Sequence, residues 1–99
     1  MGYTVIWDDE AIAELAQAIR YIARHNPGAA RKTGEVILRK AALLGAFPHL
    51  GKTFARLNRE DVREFPIPPY RLIYHIKDAG RSVRIMNVWH GARREPNLE

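Results

Sequence analysis

Two hydrophobic rhythms alternate along this chain, and the points where one gives way to the other divide it into elements. Tyr3-Thr4-Val5-Ile6-Trp7 is β-branched and aromatic, which predicts a first strand. Asp8-Asp9-Glu10 then puts negative charge where a helix dipole favours it, in the first turn, with Asp8 as N-cap. Ile12, Leu15, Ala16, Ile19, Ile22 and Ala23 recur at three- and four-residue intervals and form one apolar stripe. Asn26-Pro27 ends this helix, because a residue before proline avoids helical dihedrals, and the same pair starts a second helix as N-cap and N1. Ala30, Thr33, Ile37, Ala41 and Leu44 give the second stripe, so the two helices form an antiparallel hairpin.

Gly45, Pro48 and Gly51 break the helical period and open a loop running to about Glu60. Val62-Arg63-Glu64-Phe65 predicts a strand, and Pro66-Ile67-Pro68-Pro69 a stiff connection. Tyr70 to Ile76 is the strongest strand pattern, and Asp78-Ala79-Gly80 turns it into another at Val83 to Trp89. A strand, a helix pair and a three-strand antiparallel meander make an α+β fold, with the helices on one sheet face. The 99 residues suit a single domain spanning 1–99. Alternation puts Arg71, Ile73 and His75 on one face of their strand, and Tyr70, Leu72, Tyr74 and Ile76 on the other. The second set is the more apolar and is expected to pack on the helices. Arg84, Met86, Val88 and His90 share a face of the last strand, so a matching register brings Arg71 and His90 to one surface.

Charge changes the picture in the second half. Residues 1–51 hold six basic and five acidic side chains, whereas residues 52–94 hold ten and four, within a net charge of +5. A concentrated positive surface attracts polyanions or an acidic protein. The absence of cysteine excludes disulfides, thiolate nucleophiles and sulfur-ligated zinc. His25, His49, His75 and His90 lack metal-ligand spacing, so no metal or cofactor is expected. No apolar run is long enough for a bilayer span and no signal-peptide pattern opens the chain, so the expectation is a cytoplasmic protein.

The element order, together with the Phe47-Pro48-His49-Leu50-Gly51 segment, the Tyr70-Arg71-Leu72-Ile73-Tyr74 strand and the closing Val88-Trp89-His90-Gly91-Ala92-Arg93-Arg94, resembles the RelE/ParE toxins over nearly the whole chain. The resemblance implies a RelE-like fold and the toxin of a type II toxin–antitoxin module, neutralised by an acidic, partly helical antitoxin in a hetero-oligomer. It leaves two modes of growth inhibition. RelE-like members cut messenger RNA on the ribosome; ParE-like members poison DNA gyrase without nuclease chemistry.

Metal-free RNA cleavage, the first of these modes and the expected one, needs a base, an acid and stabilisation of the phosphorane. Arg71 matches the arginine of the RelE-type nucleases, and its planar fork suits phosphorane oxygens. His90, whose imidazole can carry a proton either way, supplies the acid or base. Lys52, Arg56, Arg63 and Arg93 are the candidates for phosphate contact, with Arg59 on the same basic loop. No aromatic follows Trp89 to stack on a base. The acidic side chains of the first helix are explained by capping and solvation.

Overall fold

In the computed structural model, which describes residues 2–91, the first strand, β1 (Thr4–Trp7), leads directly into helix α1 (Asp9–Ala23). Asp8 takes the extended N-cap conformation, but its side chain makes no cap bond. Its carboxylate instead accepts from Arg84 Nε at 2.7 Å, exchanging a local bond for one that ties the α1 entrance to the far end of the chain. Asn26 caps the second helix, α2 (Pro27–Ala46), as its sequence predicts, its Oδ1 accepting from Ala29 N at 3.0 Å. Neither helix is long and apolar enough to cross a membrane.

The apolar stripe of α1 is rotated by about one residue from the predicted one. Ala11 is fully buried, Leu15, Ala18 and Ile22 pack on the core, and Ile12 stays half exposed. Ile19 turns toward α2, where Gly34 leaves room for its tip. The α2 stripe is as expected, with Ala30, Ile37, Ala41 and Leu44 buried.

The rest of the chain contributes a short 3-10 turn (Pro48–Leu50) and four strands: β2 (Lys52–Phe54), β3 (Arg59–Ile67), β4 (Tyr70–Lys77) and β5 (Ser82–His90). They form a five-stranded mixed sheet in the order β1-β5-β4-β3-β2, with β1 parallel to β5 and every other pairing antiparallel. The expected helix hairpin and meander are present, with two corrections. The stretch read as loop contains β2, only three residues long and too short for periodicity to register. Pro66, read as a connection, lies inside β3; it sits beyond the reach of β2, on an edge where a missing N–H costs no ladder bond. The connection itself is Pro68-Pro69, joined by a cis peptide.

The main core lies between the helices and one face of the sheet, formed by Ile37 and Leu44 with Tyr70, Leu72, Tyr74 and Ile76 of β4 and Val83, Ile85 and Val88 of β5. The more apolar face of β4 therefore packs on the helices, as its alternation predicts. A smaller cluster, Phe54, Val62, Ile73 and Trp89, occupies the opposite face, where Leu57 and Met86 pack against it.

Candidate functional site

The face turned away from the helices carries most of the expected cations. Its apolar cluster exists because the loop after β2 folds over the sheet; Asn58 adopts φ 50°, a left-handed conformation asparagine tolerates, and Leu57 comes down on the cluster. Arg71 lies at the rim. Its cross-strand neighbour on β5 is Trp89, and its guanidinium carbon is 5.5 Å from that ring's centroid. Nη1 donates to Glu64 Oε1 at 3.1 Å, across β3. Ring and carboxylate together fix the orientation of the guanidinium while leaving the side chain about one-fifth exposed. Lys52 is the register partner of Glu64 and exposed, so it shares this face. Arg56 is exposed in the loop, one residue before Leu57.

Two expected residues are elsewhere. Arg63 pairs with Tyr74 and lies on the helix-side face, where its Nε donates to Glu60 O at 3.0 Å and its Nη1 to Gly51 O at 2.9 Å. It is a backbone clamp for the turn before β2. His90 pairs with Tyr70 and meets that ring edge to face at 5.2 Å, also on the helix side. Arg93 lies outside the described residues.

The expected convergence of Arg71 and His90 therefore fails. The β4–β5 register shifts between Ile73 and Tyr74, so β5 carries one extra residue, a β-bulge at Met86-Asn87. Arg84 faces the same side as His75, but beyond the bulge the alternation is inverted: Trp89 accompanies Arg71, and His90 accompanies Tyr70. Strict period-two counting puts His90 on the wrong face for this reason alone.

The imidazole that shares the face of Arg71 is His75, which the sequence reading placed on that face without giving it a role. It lies four residues along the strand, about 13 Å away, too far to act on the same phosphate. Its Nε2 is 2.8 Å from Asp61 Oδ2, and Arg59 holds the same carboxylate through two bonds of 3.0 and 2.7 Å. These bonds, that from Arg59 first and that from His75 second, hold the Asp61 carboxyl down at about 2. The result is a lateral ladder of opposite charges across β3 and β4, continued by Arg84 on β5 and by Asp8 at the N-cap of α1. Among the described residues no three histidine and carboxylate groups converge as metal ligands would.

The three segments that carry the family resemblance meet in space. The Tyr74 hydroxyl donates to Pro48 O at 2.7 Å and accepts from Gly51 N at 2.9 Å, Trp89 stacks near Arg71, and Gly91 N donates to Pro69 O at 2.6 Å. Comparison with known proteins agrees with that convergence. A profile of the ParE toxin of type II toxin–antitoxin systems, parDE, matches residues 5–95. A chromosomal ParDE toxin–antitoxin system from P. aeruginosa superposes with a TM-score of 0.74 at 18% identity, covering 89% of this chain and 95% of that one. The RelBE2 toxin–antitoxin complex from Mycobacterium tuberculosis superposes with a TM-score of 0.65 at 24% identity, covering 91% and 99%. No curated protein sequence matches the chain. With the family profile running from β1 through β5, and the fold shared with both systems, this chain belongs to the ParE toxin family of type II toxin–antitoxin systems.

Proposed function

We propose that this toxin arrests growth in the cytoplasm by binding DNA gyrase, without cutting RNA, and that a cognate acidic antitoxin neutralises it. The observation that carries this reading is the separation of Arg71 and His90 onto opposite faces of the sheet. Proton transfer to or from a ribose hydroxyl needs a titrating group within about 3 Å of it, and charge stabilisation must act on the same phosphate. Here the arginine and the imidazole have a β-sheet between them. Lys52, Arg56 and Arg71 fit a contact surface for an acidic macromolecule better than a reaction centre, and Glu64 and Trp89 hold Arg71 rigid for such a contact. The toxin–antitoxin systems among the similar structures support the antitoxin partner.

Radiolabel pulses soon after induction, together with supercoiling by purified gyrase, test the proposal. DNA synthesis is expected to fall first, supercoiling to be blocked, and His90→Ala to arrest growth as the unaltered chain does. Protein synthesis stopping first, with messenger RNA cut on purified ribosomes, would establish the nuclease reading instead. Absence of either response would also remove the gyrase assignment.

A further inference from the structure

The arginines of the strands are all answered within the molecule. Arg59 is held by Asp61, Arg71 by Glu64 and Arg84 by Asp8, and Arg63 donates to two backbone carbonyls. The helix pair is different. Between Leu15 and Ala46 the chain carries six basic side chains and a single acidic one, Glu35. Arg20, Arg24, Arg31, Lys32 and Arg39 are exposed, and among the described residues none of the five is ion-paired with a carboxylate. The dipole of α1 favours Arg20 in its last turn, but Arg31 and Lys32 lie toward the positive end of α2, whose first turn has no acidic side chain. Like charges one helical turn apart, as in Arg20 and Arg24, repel each other. A cationic surface of this kind carries a self-repulsion that a polyanion relieves.

Helical periodicity gathers these cations on one side. Leu15, Ala18 and Ile22 of α1 and Ile37, Ala41 and Leu44 of α2 face the core. Half a turn away, the outward line of α1 runs Ala13, Gln17, Arg20, Arg24 and that of α2 runs Lys32, Glu35, Arg39, Ala42, all exposed. Ile19 reaches Gly34, so the two lines run side by side. Arg20 and Arg24 are about 6 Å apart along α1, and Lys32 and Arg39 about 10 Å apart along α2. Duplex DNA carries one charge per about 1.7 Å of its axis, so a patch of this length faces on the order of six phosphates. Three of these four cations are arginines, whose planar fork matches phosphate oxygens. Neither line holds a large apolar side chain, whereas the centre of a protein interface is built on aromatic and aliphatic anchors. No aromatic stands on either line to stack on an unpaired base, so the paired form of nucleic acid fits better than a single strand.

We propose that the outward surface of the α1–α2 hairpin binds the phosphate backbone of duplex DNA, without reading its sequence, through Arg20, Arg24, Lys32 and Arg39. This contact does not depend on the target proposed above. It lies on the opposite side of the molecule from Lys52, Arg56 and Arg71, so a duplex and a protein target can be held at once.

Fluorescence anisotropy of the full chain on a labelled duplex of about 20 base pairs and mixed sequence, at about 50 to 200 mM salt, is the test. Four phosphate contacts predict a log–log salt slope of about −4 and an affinity falling about 100-fold across that range. Arg20→Ala combined with Arg24→Ala, and separately Lys32→Ala combined with Arg39→Ala, change only exposed side chains, and thermal melting checks that each variant folds. Each pair is expected to weaken binding about tenfold or more and to reduce the slope by about two. Lys52→Ala combined with Arg56→Ala is expected to leave the duplex affinity within about threefold. Hairpin pairs that bind the duplex as tightly as the unaltered chain would overturn the inference; if those pairs instead lose an acidic protein partner, the surface belongs to that protein. A single strand of equal length that competes as well as the duplex would overturn it too. Gyrase supercoiling is read separately, so failure here leaves the target reading standing.

Discussion

The Tyr74 hydroxyl is buried between two backbone groups of the turn before β2, donating to one and accepting from the other. Gly51 is required at that turn because a Cβ would sit 2.5 Å from Glu64 O and 2.7 Å from the Tyr74 oxygen. Tyr74→Phe leaves a carbonyl and an N–H without their partner, and about 2 kcal/mol of stability should go, seen as a thermal midpoint lower by about 10 °C. Burial raises the Tyr74 pKa above its ordinary value of 10. The folded state thus favours the protonated phenol, and this contribution is full below pH 10 and lost as pH climbs through the folded-state value. The alkaline loss should be smaller in Tyr74→Phe; an identical pH profile for the two proteins would show the hydroxyl is not responsible. The partnership of Tyr74, Pro48 and Gly51 is invisible in the sequence, where they appear only as separate pieces of a family pattern. Arg71 was legible because an arginine on a strand of apolar alternation must take one face. The face of His90 was not, because a single inserted residue upstream reverses it and leaves no compositional mark.

At the scale of elements, β1 ends at Trp7, and β5 continues past it with no strand beside that edge among the described residues. Glu14 of α1 fills part of that gap, accepting from Val88 N at 2.8 Å and facing Asn87 Nδ2 at 3.3 Å. Glu14→Ala should therefore cost about 1 to 2 kcal/mol, far more than an ordinary helix-surface substitution, and speed amide exchange at Val88. A denaturation midpoint unchanged from that of the unaltered protein would rule this role out. Glu14 reads in the sequence as one of several solvated carboxylates, since its task depends on a strand more than seventy residues away. The charge ladder on the other face gives a pH signature. The Asp61 carboxyl is depressed from 3.8 to about 2, so the ladder contributes fully above the unfolded value and is lost as pH falls through about 2. Asp61→Asn should flatten the decline of stability between about pH 4 and 2, by a modest amount because the pair is solvent-exposed. Chemical denaturation across that range measures it. Helices and long strands were readable because each spans several periods; β2 and the proline-bearing end of β3 depend on pairing with distant chain and carry no periodic signal of their own.

For the whole molecule, the asymmetry of charge and the asymmetry of cover go together. One side of the sheet is mostly roofed by helices, and the other presents a small apolar patch ringed by cations. The element order was enough to place the chain in its fold class, but the crossing that closes the sheet was not, because β1 and β5 lie at opposite ends of the described chain. Order β1-β5-β4-β3-β2 means that the last of the described strands to be synthesised is inserted between the first of them and the rest. Pairings this distant in sequence bear the full entropy of loop closure before any contact is gained. A chain cut after Lys77 should accordingly show no cooperative melting transition, although it retains both helices and four of the five strands. During translation, then, β1 emerges long before β5, the strand it pairs with among the described residues, and the sheet stays incomplete until β5 follows. The fold is closed only when that keystone arrives, and until then the nascent chain is open to proteases.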